Sequence, residues 1–140
     1  MVEGYLGTEK DVVARRVGAI LIDTVVLTVV GMLLLAGSFA SGSLKAMATS
    51  VVLLTVLFMV YGWVLEGWMG QTIGKRLLSI VVVKEDGSPC GFGPAFLRNF
   101  FRFVDGLFYY AVGFIAMALT EKRQRIGDRL ANTVVVRAGK

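Results

Sequence analysis

The sequence predicts an all-α membrane protein: two transmembrane helices, a helical hairpin (or third and fourth short helices), and a small two-stranded β element on the cytoplasmic side. Three observations carry that prediction. Hydrophobic residues make up 56% of the chain and charged residues 18%, against about 45–50% and about 25% in a soluble domain. The apolar residues are gathered into blocks, two of which reach the about 20 residues that a helix needs to cross the hydrocarbon core. Two short β-branched runs lie outside those blocks. At 140 residues the chain has room for a single domain, 1–140.

The first block, 17–40, reads VGAILIDTVVLTVVGMLLLAGSFA and contains one charge, Asp23. A cleaved signal peptide is the rival reading, with Arg15 and Arg16 as its basic start. The block exceeds the usual 7–15 apolar residues of such a segment and an acid interrupts it, so a span is expected. The second block, 46–65, follows a short polar turn with Lys45 and places Tyr61, Trp63 and Trp68 near one end, where amphipathic rings favour the headgroup region. Beyond it, Ser79–Lys84 and Asn132–Arg137 are β-branched runs. They are expected to pair, since an isolated strand leaves its backbone ladder unmade. A turn is predicted between Glu85 and Pro89. Gly70 and Gly74 are read as a tight surface turn.

The third apolar region, 92–119, is settled by charge. Lys10, Arg15 and Arg16 precede the first span, and Lys75, Arg76, Lys84, Arg98 and Arg102 follow the second. A further basic group lies in the tail after Leu119. Cytoplasmic loops carry the excess of Lys and Arg, so both termini are expected in the cytoplasm, in a multi-pass protein of the cell (inner) membrane. A single third span would put the tail outside. A hairpin breaking near Gly106–Tyr110 keeps it inside, and it also lets the two strands meet.

The net charge of +5 is spent on these membrane edges, and no basic stripe interleaved with exposed aromatics suggests nucleic acid. There is no histidine and one cysteine, Cys90. The commonest general base, metal ligand and zinc chemistry are thereby excluded; no enzyme activity, metal or cofactor is expected.

Charges inside apolar helices are costly and point to function. Asp23 and Asp105 are each preceded by an arginine seven residues earlier, Arg16 and Arg98, with Arg102 on the same face as the second pair. Side-by-side packing of these helices would pair the acid of one with a cation of the other. Asp23, Asp105 and Glu66 are the candidate ion- or proton-binding residues, and Arg16, Arg98 and Arg102 their charge partners.

Four motifs in series, Ala14-Arg15-Arg16 with Ala19–Asp23, Gly70-Gln71-Thr72-Ile73-Gly74-Lys75-Arg76, Arg98–Asp105, and Gln124-Arg125-Ile126-Gly127-Asp128-Arg129, resemble the RDD family. The family is named for an arginine and two aspartates, matched here by Arg16, Asp23 and Asp105. The resemblance implies a bacterial membrane protein with a cytoplasmic motif formed by Gly70, Gly74, Lys75, Arg76, Gln124, Arg125 and Asp128. Some members are described as cation/proton exchangers. The expected function is exchange of a monovalent cation against protons at the intramembrane aspartates. Two spans and a hairpin enclose no pathway alone, so exchange would need a homo-oligomer. The alternative is a non-transporting membrane scaffold or assembly subunit that binds a partner protein or lipid.

Overall fold

The computed structural model describes residues 10–107, 111–119 and 124–138, except for a few side chains within the helices, Asp105 among them. Its elements run α1 (Lys10–Ser41), α2 (Leu44–Met69), α3 (Ile73–Leu77), β1 (Ile80–Lys84), α4 (Phe92–Leu107), α5 (Ala111–Leu119), α6 (Ile126–Leu130) and β2 (Thr133–Arg137).

Helices α1 and α2 are apolar nearly all round and mostly uncovered: Leu33 is 72% exposed and Val52 62%. Such a surface suits lipid, where each backbone polar group must be satisfied within the helix. The side chains obey the same rule. Thr24, Thr49 and Thr55 each turn their hydroxyl back to the carbonyl four residues earlier, and Ser38 and Ser50 bond to each other across the helix pair. These are the two candidate spanning helices, both longer than the 17–40 and 46–65 read from composition. The extension of α1 carries Arg15 and Arg16 within the helix, and that of α2 carries Glu66.

The spans join through Gly42, at φ +64°, and Ser43, whose hydroxyl accepts from the Ala46 N–H. At the far end of α2, Gly70 takes the left-handed conformation (φ +70°) and its N–H closes on the Glu66 carbonyl. A β-carbon at Gly70 would meet the Val82 carbonyl oxygen at 2.8 Å. Gly70 therefore turns the chain as expected, although it is buried. Gly74 belongs to no surface turn: it lies inside α3, packed on α1.

The two β-branched runs pair antiparallel, with Ile80 opposite Arg137, Val82 opposite Val135 and Lys84 opposite Thr133. Ile80, Val82 and Val135 are buried together with Val12, Ala19, Cys90 and Ala95. The predicted turn after β1 closes where Asp86 accepts from the N–H and hydroxyl of Ser88. Helices α4 and α5 have 16 and 9 residues, about 24 and 14 Å at 1.5 Å per residue. Neither reaches the about 30 Å of a crossing. The break falls between Leu107 and Ala111, where a hairpin was expected; residues 108–110 lie outside the described ones.

The element order repeats: three helices and a strand, then three helices and a strand. Gln71–Lys84 and Gln124–Arg137 are identical at eight of fourteen positions (QTIGKRLLSIVVVK and QRIGDRLANTVVVR). The geometry repeats as well. Ser79 and Asn132 occupy equivalent positions with φ of 54° and 51°. Val82 and Val135 are equivalent in the alignment and face each other at the centre of the ladder. Gly74 of α3 packs on Ala19 of α1, and Gly127 of α6 packs on Phe101 of α4, with Ala19 and Phe101 each three residues after the arginine of its helix.

Candidate functional site

Where α1, α2 and α4 meet the small sheet, two groups of polar side chains are sealed from solvent. The first surrounds Asp23, which is 1% exposed. Its carboxylate accepts from the Tyr61 hydroxyl at 2.7 Å, the Thr72 hydroxyl at 2.6 Å and the Gly74 N–H at 2.8 Å. The Tyr61 hydroxyl in turn accepts from the Ile73 N–H at 3.2 Å. The N-terminus of α3 thus points at the acid, and its orphan N–H groups supply the partial positive charge that a carboxylate wants. Among the described residues the expected arginine does not pair with Asp23: hydroxyls and a backbone amide hold it. Short α3 can approach this closely because residue 74 is glycine; a β-carbon there would lie 2.2 Å from the Ala19 carbonyl oxygen.

The second group is an ionic chain, Lys75–Glu66–Arg98–Asp128–Arg16. Glu66, 2% exposed, pairs with Lys75 and at 3.2 Å with Arg98 Nε, and it accepts from Asn99. Arg98 Nη1 lies 2.7 Å from Asp128 Oδ1 and donates to the Thr133 hydroxyl at 2.8 Å. Asp128 closes the chain on Arg16 Nη2 at 2.5 Å. Within α6 the same carboxylate accepts from the Arg125 N–H at 3.0 Å, as the third residue of a helix does in a capping box. Asn99 reaches Glu66 through a close helix contact: a β-carbon on Gly62 of α2 would meet Asn99 Oδ1 at 2.1 Å.

Ionisation follows from this packing. Burial brings the Lys75 ammonium down to about 8 against the opposing pull of Glu66. Burial and the nearby Arg16 bring Arg125 down to about 10. For Asp128, burial would raise the pKa, but Arg16, Arg98 and Arg125 outweigh it and hold the carboxyl far below its usual range.

Glu66, Arg16 and Arg98 therefore share one network, with Lys75, Arg125 and Asp128 of the cytoplasmic motif inside it. Asp23 sits apart from its salt bridges. Gln124, also of the motif, donates to the Thr133 carbonyl and Glu85, and Arg76 is exposed. Arg102 approaches the network without joining it by any hydrogen bond among the described residues. The side chain of Asp105 lies outside the described ones. Sequence reasoning missed Thr72 and Thr133. The repeated Gln-x-Ile-Gly-x-Arg-Leu segment was the available signal: Thr72 caps α3 at the position of Arg125, and Thr133 opens the strand that follows the second copy. Among the described residues no group of three or more acidic, cysteine or histidine side chains could hold a metal ion.

The family model described as the RDD family matches residues 12–132. A proline-rich antigen homolog of Mycobacterium tuberculosis is 36% identical over 96 residues, 68% of this chain and 39% of that protein. Two Bacillus subtilis proteins also match: the uncharacterized protein YxaI, at 30% over 67% of this chain and 61% of its own length, and the uncharacterized protein YckC, at 32% over 88% and 82%. The chain thus spans about two fifths of the mycobacterial relative. No solved structure matches it.

Proposed function

This chain belongs to the RDD family of membrane proteins, and from that premise we propose that it is a membrane-embedded scaffold whose ionic network clamps a cytoplasmic cap onto two spanning helices. The cap consists of α3, α6 and the two strands. On this reading both termini face the cytoplasm of a cell-membrane protein, as the distribution of Lys and Arg favours. The cap then presents Arg76 and Arg129, both exposed, to a partner protein.

The observation that carries the reading is the closure of the network. Each described carboxylate at the site already has two or more donors or cations. Removing one partner from such a buried pair costs about 3–5 kcal/mol, which suits a clamp better than a group that must exchange its ligands. The match to part of a much longer mycobacterial protein supports a module that anchors other sequence. The uncovered apolar faces of α1 and α2 suit a homo-oligomer, in which copies cover one another.

A second reading, proton-coupled exchange of a monovalent cation, is favoured by one observation: the Tyr61 and Thr72 hydroxyl oxygens lie 2.7 and 2.6 Å from the Asp23 carboxylate oxygens, and hard cations bind oxygen. Proteoliposomes loaded with a pH-sensitive dye separate the two. The scaffold reading expects no proton movement on adding Na⁺ or K⁺. Cation-dependent flux that Asp23→Asn abolishes in a folded protein would overturn it.

A further inference from the structure

We propose that the outward face of α3 lies in the headgroup layer of the bilayer, with Arg76 on the phosphate of an anionic phospholipid and Ile73 and Leu77 against the first carbons of its acyl chains. The inference rests on the membrane reading. It gives Arg76 a lipid headgroup as its partner, while Arg129 of α6 keeps the protein role.

Depth places α3 at the bilayer surface. Helix α1 has 32 residues, about 48 Å at 1.5 Å per residue, and the hydrocarbon core takes only about 30 Å of that. Counted back about 20 residues from the turn at Gly42 and Ser43, the core ends near Ile22. Counted forward along α2 from Leu44, the same length ends near Trp63. Helix α3 sits against both spans at this boundary. Its first turn meets Asp23 through the Thr72 hydroxyl and the Gly74 N–H. It meets α2 where the Ile73 N–H donates to the Tyr61 hydroxyl. From there it runs back along α1: Gly74 packs on Ala19, the Leu78 side chain packs on Gly18, and the Leu78 carbonyl accepts from Arg15 Nη1 at 2.7 Å. A segment held beside a span from Asp23 to Arg15 shares its depth. Helix α3 therefore begins at the edge of the core and ends about 9 Å farther out, among the headgroups that bring the bilayer to about 40–45 Å.

The outward side of α3 has the chemistry of that layer. Ile73 and Leu77 share one helix face and are 44% and 66% exposed, and Trp68, where α2 ends, is 73% exposed. A single exposed apolar side chain needs no explanation. These three fall on consecutive elements at the depth where indole and aliphatic groups rest between hydrocarbon and water. The inward side of the helix is already engaged, Gly74 on α1 and Lys75 with Glu66. Arg76 is exposed, and among the described residues it forms no ion pair. An anionic leaflet supplies the missing opposite charge, and a guanidinium meets phosphate through paired N–H donors.

The full chain, carrying Trp63→Phe, Trp68→Phe and Leu77→Trp so that α3 alone bears an indole, is placed in phosphatidylcholine nanodiscs doped with phosphatidylglycerol. Fluorescence quenching is measured with bromine near the glycerol end of the acyl chains of one lipid or the other. Brominated phosphatidylglycerol should reach a given quenching at about fivefold lower content than brominated phosphatidylcholine. Adding Arg76→Gln should abolish that difference, and adding Arg129→Gln should leave it. Equal quenching by the two lipids, or an undiminished difference with Arg76→Gln, overturns the headgroup assignment. No quenching by either lipid, with aqueous iodide still reaching the indole, overturns the placement of α3 and leaves its face to a protein. Val52→Trp in place of Leu77→Trp checks the premise, since Val52 is exposed within α2 and lipid brominated deep in its chains should quench it. If Val52→Trp is not quenched, the membrane reading itself fails, so the two failures are distinct. A circular dichroism melt of each variant in phosphatidylcholine establishes that it is folded.

Discussion

Glu66 is the residue on which most of the buried charge depends, because it alone answers both Lys75 and Arg98 from α2. Glu66→Gln should lower stability by about 3–5 kcal/mol by stranding Lys75, while Arg98 keeps Asp128. Adding Lys75→Met should recover part of that loss, which thermal melts of the single and double variants in detergent would measure. Asp23→Asn puts an NH2 donor in place of one of the two oxygens that accept from three donors and should cost about 1–3 kcal/mol, seen as a lower melting temperature at neutral pH. Lys75 adds a pH signature. Its pKa is about 8 when folded and about 10.4 when unfolded. Between those values the unfolded chain holds more protons, so this residue makes stability rise with pH through that window. Wild type should therefore gain on Lys75→Met from pH 8 to pH 10; parallel curves would show that Lys75 is not buried as a charge. The sequence announced that Asp23, Glu66, Arg16 and Arg98 matter, since charges in or beside apolar blocks must be answered. It did not announce their partners, because seven-residue spacing places Arg16 and Asp23 on one helix face without saying what packs there. A five-residue helix with a glycine at its second position was the answer, and no periodicity marks a helix so short.

The two long apolar helices, the strands and their pairing were legible in the sequence, because block length and β-branched runs report directly on those elements. The surface turn read at Gly70 and Gly74 was half right. Both glycines were chosen by the fold, one for its left-handed backbone and the other for contact with α1. Sequence distinguishes these uses only through what surrounds them. Gly74→Ala should be the more damaging of an equivalent pair. Its β-carbon would lie 2.2 Å from a backbone oxygen, whereas that of Gly127→Ala meets the Phe101 side chain at 2.9 Å, which has more room to yield. Overpacking typically costs about 1–3 kcal/mol, so melts of the two alanine variants should rank Gly74 below Gly127. The reverse order would mean that α3 docks less tightly than α6.

As a whole, the molecule repeats one element order, with the two repeated segments meeting at Val82 and Val135 and the ionic chain crossing between the halves at Glu66–Arg98 and again at Asp128–Arg16. Equivalent positions carry opposite charges, Lys75 in the first copy and Asp128 in the second. The acid in the second copy answers Arg16 and Arg98, while the lysine of the first pairs with Glu66. This exchange of sign hid the duplication from a search for charge motifs. The pairing of Arg16 with a residue 112 positions later also bears on how the protein is made. During synthesis α1 and α2 emerge long before α6, so Arg16 must wait for Asp128 while the apolar helices are already made. Assembly is then a race between a late carboxylate and whatever else engages that arginine first, and the arrival of α6 decides whether the cap shuts.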